Sequence, residues 1–205
     1  MAILDADVAA RAGWTVTDLA AAYLDGGATL LQIRAKTMPS GSLLECVSTV
    51  VERAHRAGAR VIVNDRADVA RLAGADGVHV GQEDLSVAAV RAIVGPEAMV
   101  GLSTHTLGQF DAALDQSVSY LAIGPVFETR TKATGYEGLG LEPVGRAARA
   151  ARARGIPVIA IGGITLENAP SVLAAGATTV AVIADLLADA DPSNRVRAYL
   201  KLVTV

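Results

Sequence analysis

Residues 59–80 read ARVIVNDRADVARLAGADGVHV. The run from Arg60 to Val63 is short and β-branched, and a second short run follows from Gly77 to Val80. Between them, from Arg66 to Leu72, apolar residues recur at helical spacing, Val69 with Leu72 and Ala67 with Ala70. Gly74 stands just past that pattern, where a helix ends readily on a residue of positive φ. The segment is therefore a strand, a helix and a strand. Strands apolar on nearly every position belong in a parallel sheet covered by helices, because a half-exposed strand would alternate.

The same unit repeats outward in both directions. Ala-Gly-Ala closes a helical stretch at Ala57–Ala59, Ala73–Ala75 and Ala175–Ala177, and Gly26–Ala28 does the same. The spacing predicts strands over Ala2–Leu4, Leu30–Arg34, Arg60–Val63, Gly77–Val80, Met99–Leu102, Tyr120–Ile123, Val158–Ile161 and Thr179–Val182. Helices are expected over Thr17–Leu24, Ser42–Ala57, Arg66–Leu72, Ser86–Ile93, Leu107–Gln116, Pro143–Arg154 and Leu166–Ala174, with a C-terminal pair from Ile183. Thr17, Ser86 and Thr165 are the expected N-caps; Gly58, Gly74, Gly155 and Gly176 are the expected left-handed ends. Eight such strands predict closure into a (β/α)8 TIM barrel, and 205 residues sit at the lower limit of about 200 for that fold. An open doubly wound sheet is the rival. No Pro/Ser/Gly-rich linker or charge block divides the chain, so one domain over residues 1–205 is expected. Thr129–Leu141, with Gly135, Gly138 and Gly140, is the expected mobile loop over the active site.

Composition narrows the function. Hydrophobic residues at 52% and charged residues at 19% suit a chain with a large buried core. A net charge of -3, no Lys/Arg run and 3% aromatics exclude the footprint of a nucleic-acid binder. No apolar run reaches the roughly 18 residues of a membrane span, and Met1–Asp5 lacks the features of a signal peptide, so a cytoplasmic protein is expected. The single Cys46 falls on an apolar helical face and reads as packing. There is no HExxH, CxxC, GxSxG, Walker lysine or GxGxxG motif.

A barrel builds its active site at the C-terminal strand ends. There, Gln32, Arg34 and Lys36 alternate onto one side, and two cations suit a polyanion. Asn64-Asp65 and His79-Val80-Gly81-Gln82-Glu83-Asp84 follow the next two strands, so Asp65 and Asp84 are the candidate Mg2+ ligands. The competing reading makes them caps for helices starting at Arg66 and Ser86, and Arg34 and Lys36 a solvated strand end. Ser103-Thr104-His105-Thr106, Gly124-Pro125, Thr129-Arg130-Thr131-Lys132 and Gly162-Gly163-Ile164 follow in turn, and the Gly-Gly pair before a helix fits a phosphate site shared with Ile183-Ala184. His79 is expected to support the site from behind, and His55 to lie on the surface.

These motifs, taken in order across nearly the whole chain, resemble the thiamine phosphate synthase family. The resemblance implies a Mg2+-dependent transferase joining 4-amino-2-methyl-5-hydroxymethylpyrimidine diphosphate to a thiazole phosphate, or its carboxylate, with release of pyrophosphate. It implies that Gln32, Arg34, Lys36, Asn64, Ser103 and Lys132 contact the pyrimidine diphosphate, with Arg34, Lys36 and Lys132 acting on its leaving group. It places Mg2+ on Asp65 and Asp84, and the thiazole phosphate near Thr129, Thr131, Gly163, Ile183 and Ala184. Members of that family often carry a hydroxyl residue where this chain has Ala184. A thiazole tautomerase of the same superfamily, using a histidine comparable to His105, and a non-catalytic binding barrel are the alternatives. The expected partners are small phosphorylated substrates, with no nucleic acid or membrane, and a homo-oligomer is left open.

Overall fold

The computed structural model describes residues 1–129 and 135–203. Eight parallel strands run β1 Ala2–Asp5, β2 Leu30–Arg34, β3 Arg60–Asn64, β4 Gly77–Val80, β5 Met99–Thr104, β6 Tyr120–Ile123, β7 Val158–Ile161 and β8 Thr179–Ala181, each beside its neighbour in sequence. The sheet closes where the amide of Ile3 donates to Val182 O (3.0 Å) and the amide of Val182 to Met1 O (3.1 Å). Closure excludes the open doubly wound sheet and leaves a TIM barrel. Among the described residues, no helix is long and apolar enough to cross a membrane.

The helices are α1 Ala6–Arg11, α2 Val16–Asp25, α3 Ser40–Arg56, α4 Ala67–Leu72, α5 Val87–Val94, α6 Leu107–Ala113, α7 Leu141–Arg152, α8 Ala169–Ala174 and α9 Pro192–Val203, with a 3₁₀ turn over Ala184–Leu187. The strands fall within two residues of expectation; α1 was not expected. Thr15 rather than Thr17 caps α2, its hydroxyl accepting from Asp18 N at 3.1 Å. Thr165 does not cap α8. That helix starts four residues later, after a turn in which Asn168 Oδ1 accepts from Thr165 N (2.8 Å) and Thr165 Oγ1 accepts from Asn168 N (3.4 Å). Ser86 caps α5 as expected, and Gly58, Gly74, Gly155 and Gly176 all take positive φ.

Strand alternation divides the core in two. Leu4, Leu31, Ile33, Val61, Val63, Val80, Val100 and Leu121 face outward and pack beneath the helices, burying one apolar layer around the barrel. Ile3, Tyr120, Ala122, Ile159 and Ala181 fill the interior. Gly101 makes room for the largest of them: a Cβ there would stand 2.1 Å from the Tyr120 ring. Cys46 is half-buried against the outer layer, and burial raises its thiol pKa, as expected of a packing residue. His55 is exposed and contacts Asp76 at 2.9 Å. In the segment expected to move, the amides of Leu139 and Gly140 donate to Pro125 O and Val126 O (2.8 and 2.9 Å), while residues 130–134 lie outside the described residues.

Candidate active site

Strand alternation turns Gln32 and Arg34 into the barrel and carries Lys36 to its rim. Asp5 stands in register with Arg34 on the adjacent strand, and its carboxylate pairs with the guanidinium. Both are nearly buried, at 3% and 13% side-chain exposure, so the pair offsets a desolvation that either charge alone would not bear. The second Asp5 oxygen accepts from Val8 N at 3.1 Å and caps α1. Arg34 Nε has no protein partner among the described residues. Sequence reasoning missed Asp5, since an acid ending a strand looks solvated until the register sets it beside an arginine.

At the rim, Lys36 Nζ lies 3.2 Å from Asp65 Oδ2. Asp65 takes a left-handed backbone, φ 63°, uncommon for a residue with a side chain, with its amide anchored to His79 O at 2.8 Å. Asp84 accepts from Gly81 N at 2.8 Å. Burial and the adjacent Asp84 carboxylate push the Asp65 pKa above the usual carboxylate range, and Lys36 opposes the rise. Neither acid is a cap: α4 has no side-chain cap, and Ser86 Oγ serves α5. Two neighbouring carboxylates, one held in an uncommon backbone conformation, fit a divalent cation whose other ligands are water and substrate oxygens. Among the described residues there is no cluster of three His, Cys, Asp or Glu, so a closed all-protein metal cage is absent.

Deeper in the barrel, His79 bridges Tyr120 Oη (3.0 Å from Nδ1) and Ser103 Oγ (2.7 Å from Nε2). Its ring stacks on Tyr120 with centroids 5.5 Å apart, and Gln32 also bonds the Tyr120 hydroxyl, whose pKa burial raises well above normal. His79 thus supports Ser103 from behind, as expected. His105 Nδ1 lies 2.6 Å from Gly124 O; a carbonyl only accepts, so that nitrogen carries a proton. The ring stacks on Tyr136 (4.5 Å, 15°), a neighbour with no sequence signal of its own.

Two cavities open on this face. One, of about 560 Å³, is lined by Arg34, Lys36, Asn64, Asp65, Asp84 and Tyr136 among others. The second, of about 440 Å³, is lined by Thr129, Gly163, Ile183 and Ala184 among others. Ser103 and His105 line both. Gln32 sits below them, lining a small gap inside the barrel with Arg34, His79 and Ser103. Gly163 has φ 63°, and a Cβ there would meet Glu128 O at 2.5 Å, so only glycine closes this turn. Thr131 and Lys132 lie outside the described residues.

The profile of the thiamine monophosphate synthase family matches residues 2–186. The chain belongs to the thiamine monophosphate synthase family. A thiamine-phosphate synthase of Koribacter versatilis is 46% identical over 191 residues, covering 92% of this chain and 87% of the relative. A thiamine biosynthesis bifunctional protein of Symbiobacterium thermophilum is 44% identical over 188 residues; the match takes in 92% of this chain but only 38% of that longer protein. The solved thiamine phosphate pyrophosphorylase from Pyrococcus furiosus superposes with a TM-score of 0.88 at 30% identity, covering 98% of this chain and 93% of that one. The match to the thiamine monophosphate synthase family thus spans all eight strands, β1 to β8.

Proposed function

We propose that this chain is a thiamine phosphate synthase, with the pyrimidine diphosphate in the cavity of Arg34, Lys36, Asp65 and Asp84 and the thiazole phosphate in the cavity of Gly163, Ile183 and Ala184. The observation that supports this reading is the pair of adjoining cavities, one charged and one built on a glycine turn, meeting at Ser103 and His105.

In the reaction, the bond between the pyrimidine methylene carbon and the diphosphate oxygen breaks, and pyrophosphate departs with the electron pair. The ring nitrogen of the thiazole supplies its lone pair to that carbon, forming the new C–N bond and leaving the thiazole ring cationic. Negative charge grows on the departing oxygens, and preorganised cations stabilise it. Arg34, held by Asp5, and Lys36 at the rim take that role, joined by Lys132 on the strength of the resemblance. Asn64 and Ser103 orient the pyrimidine diphosphate, the latter held by His79, while Gln32 steadies the barrel interior beneath. Thr129 and Thr131 are assigned to the thiazole phosphate. Asp65 and Asp84 are the residues that hold Mg2+, which when bound supplies further charge against the leaving pyrophosphate.

No protein nucleophile or strong base is needed, because the thiazole nitrogen carries its own lone pair. Tautomerisation would make no use of the cations and paired carboxylates in the larger cavity. The test incubates the purified protein with both substrates and Mg2+ and follows both products. Thiamine phosphate and pyrophosphate are expected in equal amounts; folded protein that forms neither would overturn the proposal.

A further inference from the structure

The turn that follows β7 has an unusual division of its polar groups. Gly163 O accepts from Asn168 Nδ2 (3.0 Å), Thr165 N donates to Asn168 Oδ1 (2.8 Å), and Leu166 N donates to Asp185 Oδ2 (3.1 Å). The amides of Gly163 and Ile164 have no protein acceptor among the described residues, and both residues line the 440 Å³ cavity. The polar groups at the back of the turn are satisfied by side chains, which leaves these two amides available to an anion.

Asp185 joins that turn to two other elements. It sits in the 3₁₀ turn after β8, directly after Ala184, and its carboxylate accepts from Arg195 (Nη2 to Oδ1, 2.9 Å; Nη2 and Nε to Oδ2, 3.0 and 3.2 Å) and from the Tyr199 hydroxyl (2.5 Å), both on α9. Asp185 and Arg195 are 12% and 16% exposed, so the pairing is well shielded from solvent. The two strand-end turns that line the cavity are thus fastened to each other and to α9 through one carboxylate.

We infer that Asp185 is a positioning residue for substrate phosphate: by fastening the Gly163–Leu166 turn to the Ile183–Ala184 turn and to α9, it sets the spacing at which backbone amides from both turns meet one phosphate group. This rests on the assignment of the thiazole phosphate to this cavity. With a methyl at position 184, that residue adds no side-chain donor to the cup, so the spacing of the backbone amides carries more of the selectivity.

The test compares two acceptors, the thiazole phosphate and the unphosphorylated thiazole alcohol, in the full-length protein and in Asp185→Asn. The wild type is expected to prefer the phosphate strongly. In Asp185→Asn, KM for the thiazole phosphate rises about tenfold, KM for the pyrimidine diphosphate stays within about twofold, and the preference for phosphate over alcohol collapses. Tyr199→Phe, which removes one hydroxyl, gives the same pattern at about threefold and carries the test should Asp185→Asn not fold. Equal losses with both acceptors, or an unchanged preference, would make Asp185 a stability residue alone and overturn the inference. A wild type indifferent to the phosphate would instead remove the assignment of this cavity, and the inference with it.

Discussion

Asp5 and Arg34 face each other on adjacent strands at the mouth of the barrel, each the nearest balancing charge for the other in a nearly dry position. The arginine proposed to meet the diphosphate is therefore fixed before substrate arrives. Removing the carboxylate leaves a buried cation alone, which costs about 3 kcal/mol, and Asp5→Ala also deletes the cap of α1, at about 1 kcal/mol. Urea unfolding of Asp5→Ala should show that combined loss. Asp5→Asn, which retains an acceptor for Val8 N, should lose less.

Asp65 and Asp84 govern the response to metal, and Asp65 the response to pH. Because the Asp65 pKa is raised in the folded protein, its contribution to stability is fully present below the ordinary value of 3.8 and is lost as pH rises through the raised folded value. At neutral pH ionised Asp65 therefore opposes folding, with Lys36 offsetting part of the cost, until a divalent cation joins it. Mg2+ at a hundred times its Kd should stabilise the wild type by about 2.7 kcal/mol, raising the thermal midpoint by roughly 5 to 10 °C. Asp84→Asn should melt higher than the wild type without metal and gain nothing from Mg2+. The wild-type gain should shrink as pH falls through the raised Asp65 value, where the carboxylate takes up a proton in competition with the metal.

Ala184 marks the position where a side-chain donor can be added to the phosphate cup. Ala184→Ser introduces one hydroxyl on the wall of the 440 Å³ cavity. A new hydrogen bond to phosphate contributes about 1 kcal/mol, so KM for the thiazole phosphate should fall about fivefold while that for the pyrimidine diphosphate is unchanged. Steady-state kinetics with each substrate varied in turn reads this directly.

Much of this was legible before any coordinates. Apolar runs such as Val61–Val63 and the Ala-Gly-Ala helix ends are local signals, and they placed the strands and left-handed glycines. The candidate residues at strand ends come together for a related reason: in a closed parallel barrel the C-terminal end of every strand faces one rim. What stayed hidden depends on contacts between distant segments. Asp5 gains its meaning only from register with Arg34, Asp185 only from Arg195 and Tyr199 on the last helix, and Tyr136 only from its stacking on His105. The start of α8 shifted where Thr165 and Asn168 bond each other's amides across a turn that precedes the helix.

The central claim is that the two cavities divide the substrates between them, and KM values for both substrates in Lys36→Ala and Gly163→Ala test it most directly. The account predicts that Lys36→Ala raises KM for the pyrimidine diphosphate at least about tenfold and leaves that for the thiazole phosphate within about twofold, and that Gly163→Ala does the reverse. Variants that shift both KM values together, or each the wrong one, would contradict it.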